Sequence, residues 1–321
     1  MEFEEFIEVV KNEVQSRVGE DYNVTVNSIL KVNRELYGII IGLKNALVMN
    51  CIYLEEFYAE YLNGMSVDEI TKEIIKLLQQ NKLDLDQSSM DIYNYEWVKP
   101  RLRVKLINYI RNEKLLQTVP YEALLDLAIV PYVVISEGEK SATFIVRIEH
   151  IEHWNVRADE LLSVAKENTL EKELVVIQRM SDFIHCKIFK EDGNGDYDII
   201  DGKEGIPKLV VKSTLINSKD IYIITNSRNI NGAFVAFQSN QLLKLAEIIG
   251  YDRLYLLPSS IHEILVFPAK DFPVNYLREI VRDVNRTMLS ADEILSDEVY
   301  LFERFREKNN ISLTSMLDIC Y

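Results

Sequence analysis

Short apolar runs of strand length recur in pairs along this chain, and each pair is followed by a stretch with helical spacing. ELYGIIIGL and ALVMNCIYL precede LEEFYAEYLNG; DLAIVPYVVIS and TFIVRIEHI precede a helix over about 157–168; IYIITN and AFVAFQ precede NQLLKLAEIIG. Two strands joined by a few residues pair antiparallel, because a parallel return needs a crossover of about a dozen residues or more. The pattern predicts an α+β fold whose mixed, largely antiparallel sheets are built from recurring hairpin-plus-helix units, in place of strict strand–helix alternation. Asn231-Gly232 supplies residues that tolerate positive φ at the third hairpin turn. The repetition is one of shape, without the residue-level repeat of a solenoid.

The helices are legible from spacing. Phe3, Phe6, Ile7, Val10 and Val14 follow the i, i+3, i+4, i+7 rule of a helix burying one face, with Gly19 as its C-terminal cap. Ser66 and Glu69 form a capping box that opens SVDEITKEIIKLLQQN. Farther on, CKIFKEDGNGDYDII reads as a hairpin around its glycines, a helix lies near 274–285, and EVYLFERF is a final strand. Between Lys82 and Asp91 the text turns polar and loses its period, which marks an N-terminal α+β domain over 1–85 and a larger C-terminal α+β domain over 91–321.

Charge narrows the function classes. At 321 residues the chain can bury a sizeable core, and its net charge of -15 opposes a nucleic-acid partner, which calls for a dense Lys/Arg field. The one locally positive stretch, KPRLRVKLINYIRNEKLL, reads as a solvated amphipathic face, with an acidic partner or a phosphate as the alternative. Glu2, Glu4 and Glu5 stand where a secretory signal needs basic residues, and no apolar run reaches the length of about 20 residues that spans a membrane. Cys51, Cys186 and Cys320 are odd in number, widely spaced and outside any CxxC. They indicate neither a disulfide framework nor a zinc site, and a reducing cytoplasm fits them best. Neither GxxxxGK[ST] nor GxGxxG occurs, so no cofactor is expected.

Several segments carry a resemblance. RLRVKLINYIRNEKLLQTVP, LLDLAIVPY, IEHIEHWNVRADELLSVAKENT, YIITNSRNINGA, LPSSIHEILVFP and VNRTMLSADEILSDEVY, with KVNRELYGIIIGL and IYLEEFYAEYLNG near the start, together resemble an uncharacterised bacterial family known as a domain of unknown function. A helix bearing AxxN, followed late by a Pro/His/acid stretch before an apolar strand, is also similar to a second uncharacterised family of small cytoplasmic proteins from Gram-positive bacteria. The resemblance spans nearly the whole chain. It implies a contiguous protein of bacterial type and carries over no activity and no catalytic residue.

The run LPSSIHEIL, Leu257 to Leu265, is the stretch closest in composition to an active site. If Ile261 to Phe267 is a strand, His262 and Glu263 point to opposite faces, so a Ser-His-acid triad cannot form locally. No GxSxG surrounds Ser259 or Ser260, and Val266 stands where HExxH needs its second histidine. Apolar residues on both faces suggest a strand covered on each side. His150 and His153 are spaced for joint metal ligation on a helix, but the preceding context is strand and no further Cys/His pair completes a site. Asp192, Asn194 and Asp196 imitate the opening of a calcium loop that fails at Tyr197 and Lys203, leaving a hairpin turn.

No catalytic set and no metal site emerges. What remains is a binding rim: Thr225, Asn226, Asn229, Asn231 and Gly232 from one strand end, with Ser259, Ser260 and His262 from another. A non-enzymatic binding or regulatory protein would meet its partner there; the sequence leaves that partner unknown, a protein being one possibility. The alternative is a hydrolase in which Ser259 or Ser260 is activated by His262 after a local kink, with an acid recruited from elsewhere in the fold.

Overall fold

A computed structural model describes residues 1–44, 49–80, 91–136, 142–180, 197–200, 209–212, 221–270, 273–305 and 310–316. Its contacts divide into two compact units, Met1–Asp91 and Ile92–Tyr321. Among the described residues, no helix is long and apolar enough to cross a membrane.

The first unit runs α1 (Phe3–Val18), β1 (Tyr22–Lys31), β2 (Arg34–Leu43), β3 (Asn50–Tyr53), α2 (Glu55–Leu62) and α3 (Val67–Gln80). Its strands form an antiparallel sheet in the order β1-β2-β3. Lys31 pairs with Arg34 across a tight turn in which Asn33 takes φ 59°, a left-handed conformation that asparagine tolerates well. Phe6, Ile7, Val10 and Val14 bury one stripe of α1 in a core with Val24, Ile39, Ile41, Ile70 and Ile74. The capping box forms as read: Glu69 N donates to Ser66 Oγ at 3.3 Å and Ser66 N to Glu69 Oε2 at 2.9 Å.

The second unit opens with α4 (Tyr95–Val98), β4 (Leu102–Asn108), α5 (Glu113–Leu116), β5 (Glu122–Leu124), β6 (Leu127–Ser136), β7 (Ala142–Ile145), α6 (Ile148–Trp154) and α7 (Ala158–Lys172). Here β6 is central, paired with β4 on one edge and with β5 and β7 on the other. Eight strands follow, β8 (Val175–Arg179), β9 (Tyr197–Ile200), β10 (Leu209–Lys212), β11 (Tyr222–Asn226), β12 (Arg253–Pro258), β13 (Ile264–Pro268), β14 (Tyr300–Phe305) and β15 (Asn310–Ser315). They form one sheet in the order β15-β14-β12-β13-β11-β8-β10-β9, in which β8 and β10 alone run parallel. Helices α8 (Ala233–Ala236), α9 (Ser239–Ile249) and α10 (Val274–Thr287) complete the unit. The fold is α+β with mostly antiparallel sheets.

Period-2 alternation assigns the two faces of the large sheet. Leu254, Leu256, Ile264 and Val266 enter a core shared with β4, α7, α8 and α9, while Tyr255, Leu257 and Phe267 pack with Leu277 and Val281 of α10. The central strands are thus covered on both sides.

Three local expectations are corrected. AFVAFQ is not the second strand of a hairpin: Ala233–Ala236 is a helical turn, because all of these side chains are buried and no alternation remains to favour a strand. Strand β11 pairs instead with β8 and β13. The strand expected through TFIVRIEHI stops at Ile145, and Ile148–Trp154 is helical, with His150 Nδ1 accepting from Arg147 N at 3.0 Å as a cap. Third, β13 begins at Ile264 and not at Ile261, so residues 259–263 form a loop. Its turn is closed by Ser260 N donating to Glu263 O at 3.3 Å. The alternation that separated His262 from Glu263 therefore does not apply.

The hairpin turns expected around Lys44 and Asn45 and over 137–142 lie wholly or largely outside the described residues, as does most of the junction at Lys82 to Asp91. So does the calcium-like stretch Asp192 to Lys203 apart from β9.

Candidate binding site

The loop Asn226–Gly232, NSRNING, leaves β11 and is held from within. Asn226 is buried at the strand end; its Oδ1 accepts from Arg228 N and Ile230 N, each at 3.2 Å, and its Nδ2 donates to Ile230 O at 2.8 Å. One amide side chain thus reinforces the turn's own backbone bond, Asn229 N donating to Asn226 O at 3.1 Å. Asn229 and Asn231 take φ 54° and 55°, the left-handed region in which asparagine is tolerated because its short side chain bonds locally. Gly232 has no such option, because a Cβ there would lie 2.5 Å from both His262 O and Thr225 Oγ1.

That close approach joins the loop to residues 259–263. Thr225 Oγ1 donates to His262 O at 2.8 Å, Asn231 N to His262 Nδ1 at 3.0 Å, and Ala233 N to Ile261 O at 3.2 Å. Pairing of β11 with β13 brings the two strand ends together. Of the rim residues, Thr225, Asn226, Gly232 and Ser260 are buried and act as its framework, Asn231, Ser259 and His262 are half-buried, and Asn229 is exposed. Ile230 stands at the crown, 46% exposed.

The imidazole of His262 is hydrogen-bonded at Nδ1 and has a carboxylate near Nε2. Because Nδ1 accepts the Asn231 N–H, the ring proton sits on Nε2, which faces Glu293 Oε1 at 3.7 Å. Burial pushes His262 below the ordinary imidazole range, against the opposite pull of Glu293, Glu263 and Asp292, while Lys105 adds to the lowering. The ring is neutral at pH 7. Neither serine serves it as a nucleophile would: Ser260 Oγ accepts from the His262 backbone N–H at 3.0 Å, and Ser259 Oγ donates to Glu263 Oε1 at 3.4 Å. A serine awaiting activation would place its hydroxyl on a ring nitrogen.

A second cluster meets the rim at Asn231. Arg103 and Lys105 share a face of β4, and Arg103 pairs directly with Tyr132 of β6. Glu173, just past α7 and 3% exposed, binds Arg228 through both carboxylate oxygens, with Oε2 3.2 Å from Arg228 Nε, and lies 3.8 Å from Arg103 Nε. The carboxylate holds Arg228 cationic against the cost of burial. Burial pushes the Tyr132 hydroxyl up, opposed by its hydrogen bonds with the Asn231 and Arg228 side chains. Lys105 Nζ stands 5.8 Å from the Tyr132 ring centroid. Sequence reasoning marked the basic stretch but missed Glu173, Tyr132, Arg228 and Glu293, which come from separate elements with no shared local pattern.

The paired histidines of α6 face aromatic rings. His150 stacks on Trp154 at 5.5 Å and His153 meets Tyr93 edge-on at 5.1 Å, while Trp154 Nε1 donates to Ile92 O at 3.0 Å. Among the described residues, no group of three or more His, Cys, Asp or Glu side chains is placed to hold a metal ion.

A family model described as a family of unknown function, DUF5688, matches residues 3–304. The chain belongs to that family. No curated protein matches it, and no solved structure does. The DUF5688 match runs from the first residue of α1 into β14, so it covers most of both compact units and every rim residue.

Proposed function

We propose that this DUF5688 chain is a non-enzymatic binding or regulatory protein of the bacterial cytoplasm, presenting the 226–232 loop and the adjoining His262 edge to a partner. The observation that carries this reading is the preorganised loop: two left-handed asparagines, braced by the buried Asn226 side chain, flank an exposed Ile230. Loops held in sparsely populated backbone conformations cluster at ligand-contacting sites, and a rigid loop loses little entropy on binding. The cytoplasmic placement rests on the unpatterned cysteines. The two compact units support reading the chain as two domains.

The alternative hydrolase, with Ser259 or Ser260 activated by His262, finds less support because neither hydroxyl reaches the imidazole. Two measurements test the reading. Affinity capture from a host lysate with the wild-type chain and with I230S should show a partner that the folded variant loses; identical partner sets would count against this surface. A broad fluorophosphonate probe should leave the protein unlabelled, and labelling at Ser259 or Ser260 would transfer the reading to the hydrolase.

A further inference from the structure

The outer edge of β1 is a second feature, separate from the rim. β1 is an end strand of the three-stranded sheet in the first unit, and it pairs with β2 in unbroken register from Tyr22 to Lys31. In an antiparallel pair, alternate residues turn their N–H and C=O groups to the neighbour and the rest turn theirs outward. Two contacts fix the phase. Lys44 N donates to Asp21 O at 3.2 Å, so the odd-numbered residues address β2. Gln15 of α1 meets the outward groups at the start of the strand, donating from Nε2 to Tyr22 O and accepting from Val24 N at Oε1, each at 3.2 Å.

Beyond Val24 the same alternation turns the N–H and C=O groups of Val26, Ser28 and Leu30 outward. Among the described residues, no donor or acceptor meets them. Ser28 is exposed, and Val26 and Leu30 are half-buried. Edge strands are commonly guarded by proline, a bulge or charged side chains, and residues 26–30 contain none of these. Helix α1 stands beside the edge. Glu4, Glu8, Lys11 and Gln15 fall on one helical row, and Gln15 sets that row along β1. Glu8 engages Lys11 at 3.2 Å, and Glu4 is exposed. The unit Met1–Asp91 carries 17 Asp and Glu against 8 Lys and Arg.

We propose that the β1 edge binds an extended, lysine- or arginine-bearing segment of another protein, added to the sheet as a fourth strand beside α1. The backbone of that segment exchanges hydrogen bonds with Val26, Ser28 and Leu30, which gives affinity with little regard to sequence. Its alternate side chains face the α1 row, where the acidic unit favours cations. A second copy of this chain fits less well. Antiparallel pairing of two β1 edges sets both α1 helices on one face, about 5 Å apart at the strand spacing because α1 packs over β1, whereas packed helices need about 8–10 Å.

Fluorescence anisotropy of a labelled heptapeptide of alternating lysine and valine, titrated with the full chain in about 150 mM salt, tests this. Saturable binding at one site is expected. The same peptide N-methylated throughout keeps its side chains and charge but donates no backbone hydrogen bond, and it should bind at least about tenfold more weakly. The glutamate–valine counterpart should be weaker by about as much. In amide exchange followed by NMR, Val26, Ser28 and Leu30 should gain protection with peptide, while Val24, already bonded to Gln15, should not. S28P removes the central outward N–H where an edge strand tolerates proline, and should abolish binding; E279Q, the loss of an exposed charge on α10, should leave it unchanged. The N-methylated peptide keeps the test decisive if S28P fails to fold. Absence of saturable binding, undiminished binding of the N-methylated peptide, or protection that spares Val26, Ser28 and Leu30 would each overturn the proposal. Equal affinity for the glutamate peptide would overturn the basic partner. Protection of the same amides in the protein alone, with a dimer in sedimentation, would assign the edge to a second copy instead.

Discussion

The backbone N–H of Asn231 donates to Nδ1 of His262 at 3.0 Å, so the geometry of the rim loop depends on an unprotonated imidazole nitrogen. Burial holds this histidine below its ordinary range, so the folded protein binds fewer protons than the unfolded chain as the pH falls through about 6.5. The stabilisation is complete above that value and is lost as the pH falls toward the lower, folded-state pKa. Long-range nitrogen NMR of the imidazole should show the Nε2–H tautomer at pH 7.5 and a midpoint under 6.5. An Nδ1–H tautomer, or a midpoint at or above 6.5, would contradict the arrangement.

Glu173 is the shared anion of a buried group containing Arg103 and Arg228. Removing one partner of such a group strands charge away from water, a loss of roughly 3–5 kcal/mol. E173Q should therefore lower unfolding stability by about that much in urea, with β6 and the 226–232 loop affected first. Adding R228M should recover part of the loss, because the stranded cation goes with it. A single-variant effect under about 1 kcal/mol would mean that water already reaches the pair.

Gly232 and Gly38 give a contrast in close packing. At Gly232 a Cβ would meet His262 O at 2.5 Å and Asn226 N at 2.7 Å, both backbone atoms that no side-chain rotation can move away. At Gly38 it would meet Cys51 Sγ at 2.5 Å and Ile29 Cδ1 at 2.6 Å, ends of side chains that can rotate away. G232A should cost about 1–3 kcal/mol, as overpacking does, and shift the amide resonances of 225–232 and 259–263. G38A should cost less. The reverse order in thermal unfolding would refute this packing.

Local periodicity made α1, α3 and α10 legible, because each buries a face whose spacing is written in consecutive residues, while β6 was legible as an unbroken apolar run that is buried on both faces. The rim residues were legible as polar breaks at strand ends, but their union depends on β11 lying beside β13, a neighbour relation that local spacing does not encode. The same limit hid Glu173 and Arg228: each reads as an ordinary surface charge until the fold carries it to Arg103. AFVAF misled because its apolar density fits a strand, and only burial on all sides selects the helical turn. LPSSIHEIL misled in its register, since the turn at 259–263 delays the strand to Ile264.

The edge of β4 offers a last test, through Thr169 of α7. Its Oγ1 accepts from Val104 N at 2.9 Å and donates to Ala165 O at 2.7 Å, and the residue is 4% exposed. Neighbouring Asn168 donates to Lys99 O at 2.8 Å, so the end of α7 clasps the segment that leads into the strand. T169V preserves shape but leaves the buried Val104 N–H without an acceptor, at a cost of about 1–3 kcal/mol. T169S retains the hydroxyl and should lose less stability. Urea unfolding and amide exchange at Val104 report the two effects separately: T169V should shorten Val104 protection at matched pH, while T169S should keep it. Equal protection in both variants would show that the hydroxyl does not close this strand edge.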